Sequence, residues 1–361
     1  MRTDDLGFSY PVVKTSQCIE CGLCRHTCPF IKPSTPLLPQ ACYAAIHKDE
    51  RQRLRSSSGG VFIALARNII DRGGVVFGAV FTEDWSVIHT YAEVLDDVFP
   101  MMGSKYVQSD TNETFRQAKF FLENGREVMF TGTPCQIAGL KNYLKKDYPG
   151  LLAVEIICHG VPAPAVWKSY LTEILHERGH HGKSITNVSF RSKRSGWKKY
   201  SFELSDASGT LSEIMLNNQY MKAFLQNLIL RPSCYACKVK SGISQADLTI
   251  GDFWGIDKTG IVNDDDKGTS CVICRSEKGL WAIENHEQLV LKPADYHVIY
   301  QGNPCIEKSV PLTFSALQFR NIFPRRGFFR TMNKFEHPSV FYRGVDFLFR
   351  VLKSAHKLNH V

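Results

Sequence analysis

Two spacings of apolar residues organise the chain. Val61, Leu65 and Ile69, with Phe62 and Ala66 alongside, recur every three to four positions and predict a helix over 61–71, which Gly73-Gly74 ends. β-Branched runs at 75–80 and 89–95 predict strands, 103–109 a loop and 112–124 a helix. A short apolar strand at 127–131 runs into Gly132-Thr133-Pro134-Cys135 and a helix at 137–144; a second, at 151–157, runs into Cys158-His159-Gly160. Such alternation implies a mainly parallel sheet whose strand C-terminal ends carry a site, with Cys135 and Cys158 side by side at one edge. Residues 220–230 read as an apolar helix stopped at Arg231-Pro232, 247–252 as a strand, and Cys271-Val272-Ile273-Cys274 as part of a buried strand. Pro29, Pro33, Pro36 and Pro39 exclude helix interiors and central strands, so 29–40 is a linker and a new domain begins near Ala41.

At 361 residues the chain suits one large or two modest domains plus a small module, and 43% hydrophobic with 22% charged residues is ordinary for a soluble globular protein. No apolar run approaches the ~20 residues that span a bilayer, and Met1-Arg2-Thr3-Asp4-Asp5 lacks a signal-peptide core. A cytoplasmic location with no transmembrane segment is expected. Twelve cysteines in such a chain point to metal or redox chemistry instead of disulfides.

Four of those thiols form one candidate set. Cys234-Tyr235-Ala236-Cys237 puts two sulfurs within reach of one centre, and Cys135 and Cys158 complete a tetrathiolate suited to Zn²⁺ or a [4Fe–4S] cluster; spacing alone does not choose. Near the N-terminus, Cys18, Cys21, Cys24 and Cys28, followed by Pro29, match the bacterial ferredoxin pattern and favour iron and sulfur. In paired ferredoxin modules the fourth cysteine of each run serves the other run's cluster, and this chain carries one run. Residues 5–11 look like the linker that follows a first run. Either Cys28 closes a single cluster, or an outside ligand completes it; a misassigned start codon would also account for the lone run. Cys42, Cys271, Cys274 and Cys305 read as buried free thiols, the alternative for Cys271 and Cys274 being a ligand pair or redox dithiol.

The ferredoxin run, Ser56-Ser57-Ser58-Gly59-Gly60-Val61-Phe62, Gly103-Ser104-Lys105-Tyr106-Val107-Gln108-Ser109, Gly132-Thr133-Pro134-Cys135-Gln136, Cys158-His159-Gly160-Val161-Pro162 and Thr249-Ile250-Gly251-Asp252-Phe253-Trp254-Gly255 occur in that order. Together they closely resemble the coenzyme F420 hydrogenase/dehydrogenase beta-subunit family, which includes chlorophyll-pathway reductases, over roughly residues 5–320. With the strand and helix pattern, the expected fold class is α/β: a small ferredoxin-like iron–sulfur module, then a mixed, mainly parallel α/β flavin and iron–sulfur domain. The expected divisions are 1–40 (module and linker), 41–110 (flavin-phosphate turn), 111–320 (core cluster) and 321–361 (basic aromatic tail). The resemblance implies one or two [4Fe–4S] clusters and FAD.

For FAD, Ser57, Ser58, Gly59 and Gly60 open a helix, where free backbone N–H groups and the helix dipole favour a pyrophosphate. The plain alternative is a serine N-cap with glycines for a tight entry. Lys105 would offset flavin charge or else be solvated, and without a GxGxxG fingerprint the site is not of the Rossmann kind. His159 serves either a cluster sulfur or substrate, or a turn. Asp252 is an acid/base beside flavin-stacking aromatics, or a cap. Residues 191–199, the most basic stretch, are a solvated turn or a cationic loop at the redox site, and 263–267 reads as a surface turn without EF-hand spacing. Beyond 320 the chain is basic and aromatic, with apolar residues at helical intervals over 341–358; it docks on a partner or membrane interface, or packs on its own domain.

The formal charge of +9 would ordinarily suggest nucleic acid. Two clusters and a flavin dinucleotide would bring about six negative charges, leaving about +3. No nucleic-acid-binding signature is present, so no nucleic-acid partner is expected. The expected activity is that of an oxidoreductase moving electrons between a ferredoxin-like carrier, or a partner redox subunit, and an organic two-electron substrate; in the resembled family that substrate is a deazaflavin or a tetrapyrrole. Two alternatives stand beside it: a non-catalytic iron–sulfur electron-transfer subunit of a larger complex, and a zinc-stabilised binding module.

Overall fold

A computed structural model of the chain describes residues 1–179 and 185–336. Its frame is an eight-stranded mixed sheet, in the order Leu289–Pro293, Ala41–His47, Ser270–Cys274, Leu248–Asp252, Leu151–Ile156, Val128–Gly132, Val75–Phe81 and Val87–Ala92. The four consecutive strands from Leu248–Asp252 to Val75–Phe81 run parallel, and antiparallel strands flank them on both sides. Buried on both faces, the parallel strands carry continuous apolar runs such as Val128-Met129-Phe130 and Leu151-Leu152-Ala153-Val154. The helix Val61–Asp71 covers one face through Val61, Leu65 and Ile69. Thr114–Glu123 and Pro134–Leu144 cover the other, around Phe130, Ile137 and Leu140. Strands from 41–110 and from 111–320 therefore share one sheet.

A three-stranded antiparallel sheet (Gly209–Ile214, Ser201–Asp206, Asn187–Ser192) packs with the helices Pro164–Glu177 and Gln219–Leu225 around Trp167, Tyr170 and Tyr220. The described part of the tail joins this second core. Its helices Phe314–Arg326 and Phe328–Glu336 bury Phe319, Phe323, Phe328 and Met332, and Glu173 accepts hydrogen bonds from the N–H groups of Phe328 (2.7 Å) and Phe329 (2.8 Å). This is self-packing, the commoner fate of such a segment; the helical pattern over 341–358 lies outside the described residues. No helix among the described residues is long and apolar enough to cross a membrane.

The predicted helix over 61–71 matches its observed bounds, whereas that over 220–230 is cut short. Gln219–Leu225 is helical, Asn227 turns the chain through φ +63°, and Leu230 then bridges to Pro162. An apolar run cannot reveal a left-handed asparagine inside it. The proline-rich segment has no regular structure, as expected, yet is tied down: Leu37 N–H donates to the Gly242 carbonyl (3.1 Å), and the Arg275 guanidinium donates to the Leu37 carbonyl (2.7 Å).

Candidate redox centre

Thr133 precedes the helix Pro134–Leu144, and the Gln136 side chain reaches back to accept from Thr133 N–H at 2.9 Å, while Pro134 occupies the first turn. The chain thus leaves the strand Val128–Gly132 directly into a helix, with Cys135 in its first turn. Gly132 pairs with Glu155 on the parallel neighbour, so Cys135 and Cys158 each lie three residues beyond a matched register position. The other two thiols come from the short turn Pro232–Ala236 and its end at Cys237. Cys234 is held by Val161 N–H, which donates to its sulfur (3.4 Å), and Cys237 N–H donates to Ser309 Oγ (2.9 Å). Gly160 lets the two segments approach: a Cβ there would stand 2.8 Å from Leu230 Cδ1 and 3.3 Å from Cys234 Cβ.

These four half-buried thiols lie within electrostatic reach of one another. Burial pushes Cys158 far above the ordinary thiol range, raises Cys135, and takes Cys234 up to about 11; charge on the neighbouring sulfurs adds to all three. Thiols so arranged stay protonated unless a cationic centre claims them as thiolates. Among the described residues no three His, Cys, Asp or Glu side chains close around a single metal ion. A tetrahedral Zn²⁺ would need sulfurs about 3.8 Å apart, from its ~2.3 Å bonds. An all-thiol set of four suits a [4Fe–4S] cluster as well as Zn²⁺.

Cys18, Cys21 and Cys24 are exposed and Cys28 half-buried, on and around the short helix Leu23–Thr27. This module rests on the far end of the core helix: Asn142 Nδ2 donates to the Thr27 carbonyl at 3.2 Å. Cys135 and Asn142 are seven residues apart on Pro134–Leu144, about 10 Å along the axis. One helix therefore spans from the N-terminal cysteine run to the core thiols.

At the Ser-Gly turn the serine N-cap reading is corrected. Gly60, at φ +94°, is the cap of Val61–Asp71, because a Cβ there would meet His47 Cβ at 2.8 Å. Ser57 Oγ accepts from Ser104 N–H (2.7 Å), Ser58 Oγ donates to the Thr269 carbonyl (2.9 Å), and Gly59 N–H donates to Ser270 Oγ (2.9 Å). Lys105 turns its ammonium onto the carbonyls of Met101, Met102 and Gly103 in its own loop, and burial brings it down to about 7.

The basic stretch is not a solvated turn. Arg191 makes a bidentate pair with Asp252 (2.7 and 3.0 Å) and Trp197 Nε1 donates to the same carboxylate (2.7 Å). Asp252 is thus an anchoring acid. Lys193, brought down to about 7 chiefly by burial, donates to the carbonyls of Arg53, Ser58 and Lys267, pinning the Ser-Gly turn from below. Nor is 263–267 a plain surface turn: Asp265 pairs with Arg53 and Asp264 with Lys198. His159 is held by Asn227 Oδ1 (2.6 Å) with its ring edge-on to Phe224, and burial lowers its basicity. Trp254, half-buried, stacks on Trp197 at 4.9 Å.

Sequence reasoning missed Lys240, 6% exposed, whose ammonium donates to the carbonyls of Cys158 (2.6 Å) and Cys305 (2.5 Å) beside the four thiols. Nothing local marks it: it is one lysine among many, three residues past Cys237. The pair Cys271 and Cys274 does fall in a buried strand, Ser270–Cys274. Residues three apart on a strand face opposite ways, and the two thiols sit in different cores.

Fold and site together define a mixed α/β protein with Cys135 and Cys158 just beyond adjacent parallel strands and Cys234 and Cys237 in a facing turn. Residues 125–295 match the family model for the C terminus of the beta subunit in coenzyme F420 hydrogenase/dehydrogenase. A solved chain from the F420-reducing [NiFe] hydrogenase complex of Methanosarcina barkeri shares the fold, with TM-score 0.52 at 18% identity over 76% of this chain and 92% of that one. No curated protein matches the sequence.

Proposed function

We propose that this chain is an iron–sulfur flavoprotein oxidoreductase, in which Cys135, Cys158, Cys234 and Cys237 hold a core [4Fe–4S] cluster and Cys18, Cys21, Cys24 and Cys28 a second. The observation that carries the reading is the convergence of Cys135 and Cys158, at the C-terminal ends of adjacent parallel strands, with Cys234 and Cys237 from a facing turn, one helix away from the N-terminal run. Clusters carry single electrons, and FAD would convert between one- and two-electron chemistry. The exposed N-terminal module is the natural entry for a ferredoxin-like carrier or a partner redox subunit. Ser57, Ser58, Gly59 and Gly60 with Lys105 would take the FAD pyrophosphate, over the floor formed by Lys193 and Arg191. The organic two-electron substrate would bind beyond the flavin, in a protein acting in the cytoplasm. The proposed organisation keeps the divisions near residues 40, 110 and 320.

One observation favours the relay alternative, an electron-transfer subunit without flavin: the polar groups of Ser58 and Gly59 are already engaged by Thr269 and Ser270. The test is iron per chain in Cys135→Ala and Cys158→Ala. Each should lose about four irons and keep the N-terminal set. Unchanged iron in both would remove the core assignment.

A further inference from the structure

Lys240 is an expensive residue for what it visibly holds. Its side chain is almost wholly buried, and its two acceptors, the Cys158 and Cys305 carbonyls, are neutral peptide groups that a neutral donor would satisfy. Burying a cation without a directly paired anion is unfavourable. A carboxylate within electrostatic reach is Glu155, itself buried and engaged by Ser244 Oγ (2.5 Å) and Thr249 Oγ1 (2.7 Å). What the charge does lie against is the thiol set: its ammonium sits 2.6 Å from the carbonyl of Cys158, and Lys240 follows Cys237 by three residues.

We infer that Lys240 is a fixed cation that raises the reduction potential of the core cluster. The inference rests on the core-cluster reading. An oxidised tetrathiolate [4Fe–4S] cluster carries about −2, and one electron takes it to about −3. A buried positive charge stabilises the more negative form, and low local polarity strengthens the effect. Lys240 makes the core cluster easier to reduce than a neutral residue there would, a bias that draws electrons from the exposed N-terminal run inward. The residue positions no reacting atom; it acts through the field.

The test is a redox titration of the anaerobically purified full-length protein, with dithionite as electron donor and mediators present, following each cluster by its electron paramagnetic resonance signal. Wild type, Lys240→Gln and Lys240→Arg are compared, with iron and sulfide measured on each. Lys240→Gln keeps a donor and loses the charge. It should retain full iron while its core cluster's reduced-to-oxidised ratio at fixed poise falls about tenfold or more, each tenfold being 59 mV for a one-electron couple. Lys240→Arg should stay near wild type, and the N-terminal cluster should not move. An unchanged core potential in Lys240→Gln at full iron overturns the inference and leaves the core cluster standing. Loss of core iron from both variants assigns Lys240 a purely structural part and overturns it too. Absence of core iron from wild type would instead remove the reading on which it rests.

Discussion

His89 should make the fold acid-sensitive in a defined window. Its ring, 4% exposed, stacks on Phe130 at 5.6 Å, and Nε2 donates to the Thr131 carbonyl at 2.9 Å. Burial is the main cause that brings it from 6.5 down to about 4; the Thr131 carbonyl opposes this and Lys105 adds to it. Because the folded value is the lower one, the unfolded chain takes up this proton first. Nothing is lost above about pH 7, stability falls as the pH drops below 6.5, and the loss levels off below about 4. Linkage over that gap gives about 2 kcal/mol at pH 5 and about 3 kcal/mol at pH 4. The assay is urea unfolding at pH 7 and pH 5 for wild type and His89→Leu, under one anaerobic buffer system. The variant loses the hydrogen bond and is weaker throughout, so the quantity that matters is the change between the two pH values. Wild type should lose about 2 kcal/mol more than His89→Leu over that step. Equal losses would refute the reasoning.

Arg191→Met should destabilise the protein by about 3–5 kcal/mol, because it strands Asp252 with only Trp197 as partner; the double variant with Asp252→Asn should recover part of that loss, and additive costs in a denaturation cycle would contradict a coupled pair. Cys271→Ala and Cys274→Ala should leave iron and sulfide per chain unchanged, since their thiols face opposite sides of the strand; loss of iron in either would show a ligand role.

Much of the frame was legible because its cause is local. The helix Val61–Asp71 announces itself by spacing and by the glycines on either side. The strands Val128–Gly132 and Leu151–Ile156 announce themselves by unbroken apolar runs entering cysteine-bearing turns. From that alternation the adjacency of Cys135 and Cys158 followed. Hidden were features that depend on residues far apart in sequence. Whether 191–199 is solvated depends on Asp252, Arg53 and 264–266, which only the folded sheet brings to it. Lys240 gained its place from Cys158 and Cys305, 82 and 65 residues away. The antiparallel flank beside Leu248–Asp252 was equally invisible, since Ala41–His47 pairs with strands that begin at Ser270 and Leu289.

The central claim is that this chain holds iron–sulfur clusters and works with a flavin. It is tested most directly by iron, acid-labile sulfide and released flavin per chain in anaerobically purified protein. The account predicts about eight irons, a matching amount of sulfide and one FAD. Zinc in place of iron, with no flavin, would contradict it.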